Sequence, residues 1–377
     1  MLWRFLPRCL PADRHEYFRA TLLKNTPFSS FETFHDAFNG GLSELLSGYD
    51  QLGVYILVMA HAGFDPALRE SLSLPLKARF ESMAEALRRD ARQGPCLDDA
   101  AEDDLQVFQR MMDIKFAGLQ PAQFRCIGPW ELQFNQMRSL RPPRMAGEVA
   151  DAIRVSFDQD AFHFGAPYLR KEIFWQGRLA GRKASIFFNK FPFVPMHSIL
   201  VPELRKSHPQ YLRKSDHDYL WRLGETLARH LPGIGFGYNS YGALASINHL
   251  HFQMFYREKP FAVSDPRWRH NGGEWDYPIA CSRFDSEADS WRFIDELHRM
   301  NCSYNLIHLP GRNYCVPRLK QGTYPASDWS EGFAWYEMAG GFITSCPENF
   351  DRISSRDLEH ELSRLSLVPP GISEREG

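Results

Sequence analysis

Ile247-Asn248-His249-Leu250-His251-Phe252-Gln253, with its lead-in Gly237-Tyr238-Asn239-Ser240-Tyr241-Gly242-Ala243, is the stretch on which the reading of this chain turns. Taken as a β-strand, its period of two puts His249, His251 and Gln253 on one face and Leu250, Phe252 and Met254 on the other. One face is chemical and the other packs. The lead-in reads as a loop whose glycines let the backbone come close to an anion, with Asn239 and Ser240 offering side-chain hydrogen bonds.

Two imidazoles and a carboxamide along one strand suit phosphorus chemistry. An imidazole with a free pKa of ~6.5 is largely neutral at pH 7 and attacks a phosphoanhydride without prior deprotonation. His251, in the middle, is the candidate nucleophile; its second nitrogen must donate to an acceptor, such as a neighbouring carbonyl or the His249 region. His249 would orient and polarise. Gln253 can hold a phosphate oxygen through its amide without placing another ionisable group beside the nucleophile. The same spacing also fits half a metal site or two solvent-facing histidines. Gln253, third in the run, is a poor zinc ligand, so no metal is assigned.

The run Gly237 to Tyr256, GYNSYGALASINHLHFQMFY, closely resembles the active-site segment of the GDP-hexose phosphorylases, the GDP-L-galactose and GDP-D-glucose phosphorylases of the histidine-triad superfamily's galactose-1-phosphate uridylyltransferase branch. The likeness extends to Val107–Arg144, with Glu131 to Arg138 and the following RPPR, and to the hairpin-like IFFNKFPFVPMHSILVP of Ile186–Pro202. Ser303 to Leu306 and Val316 to Arg318 resemble the C-terminal half of the diadenosine tetraphosphate phosphorylases. Altogether it covers roughly residues 107 to 365.

The resemblance implies an α+β fold, an antiparallel histidine-triad sheet with flanking helices and two related halves in one chain. Only one half carries the HxHxQ residues, so one reaction centre is expected. It also implies a two-step exchange. His251 attacks the α-phosphorus of a nucleoside diphosphate hexose and expels hexose 1-phosphate; inorganic phosphate then displaces the histidine and leaves as nucleoside diphosphate. GDP-glucose or a related GDP-hexose is the substrate so implied, with inorganic phosphate the second partner, no cofactor, and a homodimer left open.

Asn135 and Arg138, Asn189 and Lys190, and Asn239, Ser240, Gly242 and Asn248 are the candidate substrate contacts. His197 is read as structural; Arg312 and Arg318 are further candidate contacts, with pairing to an acid as the alternative for Arg318. Competing activities are diadenosine polyphosphate phosphorolysis and sugar-phosphate nucleotidyl transfer; a reading of another class is a noncatalytic nucleotide sensor with a helical partner-binding module.

Composition narrows the setting. With 377 residues, 44% of them hydrophobic and 24% charged, the chain has the make-up of a soluble globular protein able to bury a large core. A net charge of -2 gives no global attraction to nucleic acid or an anionic membrane. Arg4, Arg8, Asp13 and Arg14 interrupt the apolar start, so no export signal is expected. Seven cysteines without a CxxC pair indicate neither a disulfide framework nor a four-cysteine zinc site, which suits a reducing cytoplasm.

Residues 1–104 read as a mainly helical extension, 105–365 as the core and 366–377 as a tail. A helix begins near Pro75 with Leu76, Phe80, Met83 and Leu87 on one stripe. In the core, Ala184–Phe188 and Ser198–Val201 form a hairpin, followed by a helix capped by Ser215 with Asp218 and carrying Leu220, Leu223 and Leu227 inward. A second helix opens near Ser286, before a hairpin turning at Pro310-Gly311.

Overall fold

The computed structural model describes residues 26–93, 102–141, 150–330 and 332–367. Arg144, from the RPPR turn, lies outside them, as do residues 1–25 and most of the tail.

Helices dominate the first part of the chain: α1 (Phe31–Gly48), α2 (Leu52–Ala62), α3 (Pro66–Ser71), α4 (Ser73–Gln93) and α5 (Glu102–Ile114). Every residue of α2 is buried, as expected of a helix apolar on all sides. Helix α1 buries Phe34, Phe38, Leu42, Leu45 and Leu46; Phe38 meets Phe188 edge-on with centroids 4.8 Å apart. Helices and sheet therefore share one hydrophobic core. Residues 104 and 105, the expected boundary, fall inside α5.

Eleven strands follow among the described residues. A small sheet has the order β1 (Gln123–Ile127), β2 (Trp130–Phe134), β11 (Gly341–Thr344). The main sheet is built from β3 (Ile173–Leu179), β4 (Arg182–Phe188), β5 (Ser198–Pro202), β6 (Ile234–Asn239), β7 (Phe252–Tyr256), β8 (Ser282–Phe284), β9 (Ser303–Leu309) and β10 (Arg312–Arg318). Its order is β3-β4-β5-β7-β6-β9-β10-β8, antiparallel throughout. Helix α6 is the single turn Gln136–Ser139, α7 spans Lys214–Ala228 and α8 Glu287–Arg299. Helices α9 (Trp335–Met338), α10 (Pro347–Arg352) and α11 (Ser355–Arg364) are the last helices among the described residues. This is the α+β arrangement of antiparallel sheet and flanking helices that the sequence implied.

Four local expectations are corrected. The run from His249 is not a strand throughout: β7 begins only at Phe252. Before it, Leu250 N bonds to His208 O and His251 N to the Gln210 side chain, so this backbone is tied to a loop and not to a ladder. Gly237-Tyr238-Asn239, read as loop, ends the wholly buried strand β6. Its alternate glycines 235 and 237 look like turn signals but make room for Phe255 and Trp335, which a Cβ would strike at 2.3 and 2.1 Å.

Helix α7 is capped at Arg213, not Ser215, because the buried Asp216 binds Arg213 there and also binds Arg182. Asp218 pairs with Lys214 instead. Arg318 has no acid partner among the described residues; its buried guanidinium donates to the carbonyls of Phe333 and Leu319.

Candidate active site

Strands β5 and β7, the Asn189 turn and α9 surround a cavity of about 1310 Å³, lined by His251, Gln253, Asn239, Asn189, Lys190 and Arg138 among others. That is ample for a nucleotide sugar. Its far wall comes from Gln51 and Gly53 of the α2 end and from Asp104 and Arg110 of α5. The helical layer is thus part of the container.

His251 sits where the irregular segment enters β7. Its Nδ1 lies 2.7 Å from the carbonyl of His249, which obliges that nitrogen to carry the proton and leaves the Nε2 lone pair free. Burial pushes its pKa down to about 4, so the ring is neutral at physiological pH. Phe164 packs on it, centroids 5.1 Å apart. The backbone is fixed by Gln210, whose Oε1 accepts from His251 N at 2.9 Å while its Nε2 donates to Asn239 O at 2.9 Å and His251 O at 3.3 Å. One buried carboxamide staples the segment to the end of β6.

The ring of His249 points elsewhere. It is buried beside Phe157, His163 and Phe164, and its Nδ1 accepts from Phe164 N at 3.2 Å. Burial holds its pKa down at about 3. His249 therefore reaches the cavity only indirectly, orienting His251 by its carbonyl.

Gln253 is gripped from two sides. Its Oε1 accepts from Trp335 Nε1 at 2.9 Å and lies 3.1 Å from His197 Nε2. An indole nitrogen only donates, so the carboxamide oxygen must face it, and the NH₂ is left for an anion. His197, fully buried and held neutral by burial, accepts from Phe193 N on its other nitrogen. Asn239 behaves alike: its Oδ1 accepts from Trp335 N at 2.9 Å and Asn305 Nδ2 at 2.8 Å, which leaves its amide nitrogen as donor.

Other candidates divide into lining and supporting residues. Arg138 lines the cavity, with its guanidinium 4.5 Å over the Phe193 ring and one nitrogen on Phe191 O. Asn135 is buried: it caps α6 through Arg138 N and ties down Pro192 O, so it positions Arg138. The carbonyl of Asn189 accepts from His61, and its Nδ2 lies near the His197 ring. Lys190 lines the cavity and holds both oxygens of Asp104, at 2.9 and 3.0 Å.

Ser240, Gly242 and Asn248 lie outside the lining. Ser240 Oγ receives Tyr304 N, and Asn248 receives Gln210 N and donates to Ser156 O. Gly242 takes φ +83° with no room for a Cβ beside Ser303.

Residues missed in the sequence include Gln210, Trp335, Glu172 and Glu337. Glu337 lines the cavity and accepts from Ala334 N; burial raises its pKa to about 7 against the lowering field of Arg138. The aromatic run Phe333 to Tyr336 was the available signal for Trp335 and its neighbour. Gln210 had none, since its partners are 29 and 41 residues away.

Among the described residues, one group of three, His217, Asp218 and Glu287, brings possible metal-ligand atoms within 4.8 Å of one another. None of them lines the cavity. No described helix is long and apolar enough to cross a membrane.

Comparison with known proteins places the central part of the chain. Residues 131–255 match the family described as GDPGP1-like, N-terminal domain. GDP-D-glucose phosphorylase 1 of Danio rerio is 35% identical over 125 residues, 33% of this chain and 35% of that protein. GDP-L-galactose phosphorylase 1 of Arabidopsis thaliana is 32% identical over 156 residues, 35% of this chain and 32% of that one. The chain spans about a third of the length of these curated relatives. Yeast Ap4A phosphorylase Apa2, solved with AMP, aligns over 71% of this chain and 97% of its own at 16% identity and a TM-score of 0.46. The matched stretch is the one that carries Arg138, the Asn189 turn, Gln210, His251 and Gln253.

Proposed function

We propose that this chain is a nucleotidyltransferase that phosphorolyses a nucleoside diphosphate hexose, GDP-glucose or a related GDP-hexose, in a cytoplasmic setting. The observation that carries the reading is the His251 ring, neutral, with Nδ1–H committed to the His249 carbonyl and Nε2 available at a cavity of substrate size. The names of the relatives supply guanine and hexose.

In the first step Nε2 of His251 attacks the α-phosphorus; the P–N bond forms as the bond to the bridging oxygen breaks, and hexose 1-phosphate leaves. The proton stays on Nδ1 and is donated to the His249 carbonyl, which stabilises the positive charge the ring gains. Charge accumulating on the phosphorus oxygens meets the amide donors of Gln253 and Asn239 and the guanidinium of Arg138. Phosphate then attacks the nucleotidyl-histidine and releases nucleoside diphosphate, regenerating the neutral ring. Two inversions give net retention at phosphorus and ping-pong kinetics.

The test is intact-protein mass measurement after mixing with GDP-glucose without phosphate. A GMP adduct on the wild type, lost in His251→Ala and discharged as GDP on adding phosphate, is expected. An adduct that survives His251→Ala, or none on the wild type with GDP-, ADP- or UDP-glucose, refutes the mechanism. Release of ADP from diadenosine tetraphosphate faster than GDP from GDP-glucose would assign the chain to the other phosphorylase activity.

A further inference from the structure

Glu172 is a carboxylate without an assigned task. It ends a short 3-10 helix, Pro167–Glu172, is 7% exposed, lines the cavity, and makes no hydrogen bond or ion pair among the described residues. Burial raises its pKa, while Lys190 is the strongest charge opposing that rise. A buried carboxylate left without donors in an open cavity is costly unless a ligand supplies them.

Its place in the sheet says what kind of ligand. Gln253 pairs with Ile199, Ile199 with Phe187 and Phe187 with Ile173, the neighbour of Glu172. This row is three strand spacings, about 14 Å. Less the reach of the side chains at its two ends, that suits a nucleoside monophosphate with its phosphate at Gln253 and its base at Glu172. The floor between them is apolar and aromatic: Phe164, Leu169, Phe187 and Ile199 form a hydrophobic cluster, and exposed Tyr168 stands on the same 3-10 helix as Glu172. Flat apolar walls suit a base; a hexose, with hydroxyls on every side, is served poorly by them.

We infer that Glu172 is the base-reading residue of this cavity and selects guanine. Guanine alone among the common bases presents two adjacent donors, N1–H and the 2-amino group, which match the two oxygens of one carboxylate. Lys190 spends two N–H groups on Asp104 and keeps a third for O6, the acceptor next to N1. Adenine would turn a lone pair toward the carboxylate, and uracil offers it one donor flanked by two acceptors. This inference rests on the cavity being the nucleotide site proposed above, and it supplies the specificity that the reaction residues do not.

Equilibrium binding of GMP, IMP and AMP to the full chain tests it without requiring chemistry. IMP lacks only the 2-amino group. The wild type should bind GMP about 10-fold more tightly than IMP and about 100-fold more tightly than AMP, the scale of a lost bidentate pair. In Glu172→Gln the GMP preference over IMP should fall to within about twofold. Equal binding of GMP and IMP by the wild type overturns the inference even if the variant fails to fold. An unchanged GMP-to-IMP ratio in a folded Glu172→Gln also overturns it. Guanine preference without any nucleotidyl adduct would sink the transfer reading and leave this one standing; an adduct without guanine preference does the reverse.

Discussion

Replacing Gln210 by leucine should damage catalysis and stability together, although its side chain is outside the cavity lining. The carboxamide is buried and bridges two backbone groups at short distance, His251 N and Asn239 O, with a longer contact to His251 O. Leucine has nearly the same volume and no polar atoms, so packing survives while two buried backbone groups lose their partners. At about 1–3 kcal/mol for each orphaned group, the expected loss is about 2–6 kcal/mol. The same change frees the segment that aims the His251 ring. A displacement near 1 Å of a reacting group costs on the order of 10²-fold in rate, so kcat should fall by about that factor. Urea unfolding gives the first number and steady-state phosphorolysis of GDP-glucose the second. A variant losing less than about 1 kcal/mol and keeping its kcat would refute the idea that Gln210 holds the nucleophile.

Trp335→Phe keeps an aromatic ring stacked on Phe255, 4.9 Å and 10° in the parent, but deletes the N–H that fixes Gln253. It should lower kcat about 10-fold with a stability change near 1 kcal/mol, and unaltered kcat would show that Gln253 needs no such clamp. Gly237→Ala would drive a methyl into the same indole at 2.1 Å, so it should cost about 1–3 kcal/mol and kcat as well; wild-type values would contradict this geometry.

The pH dependence of stability follows from buried neutral histidines. His61, His249 and His308 are pushed down to about 3, and His217, His251 and His298 to about 4, all mainly by burial. Unfolded, these rings take up protons near pH 6.5, so between pH 6.5 and 4 the unfolded state binds more protons and stability falls as pH falls. Each ring contributes at most about 1.4 kcal/mol per pH unit in that window. Urea midpoints flat from pH 7 to 5 would contradict it. The same lowering predicts that the rate has no acid limb near 6.5 from His251 itself.

The legible parts of the fold were those with strong local signals. Pro310-Gly311 between two apolar runs, Ser286 before Trp291, Ile294 and Leu297, and the stripe from Leu76 to Leu87 each carry their own geometry, and each is found as an element. Strand β6 was not legible, because alternate glycines carry no hydrophobic period and the aromatic rings that need their space come from Phe255 and Trp335, far along the chain. The cap of helix α7 was displaced by two residues, from Ser215 to Arg213, because a tertiary pair, Arg182 with Asp216, outranked the local Ser215 pattern.

At the candidate site the sequence singled out His251 and Gln253, which share one cavity. Their partners were invisible, since Gln210, His197 and Trp335 act through bonds made only after the sheet has assembled. Asn135, Ser240 and Asn248 illustrate the converse. A polar side chain near a motif invites a ligand role, yet each of these is consumed by backbone groups that would otherwise be stranded.

The cavity's reactive floor and its far wall come from separate stretches of chain: His251 and Gln253 from one, Gln51, Gly53, Asp104 and Arg110 from the other. Attack on phosphorus depends on the first set, whereas which molecules the cavity admits depends on the shape and charge of the second. The two can diverge independently, so proteins sharing the floor can keep one reaction while exchanging the molecules they accept.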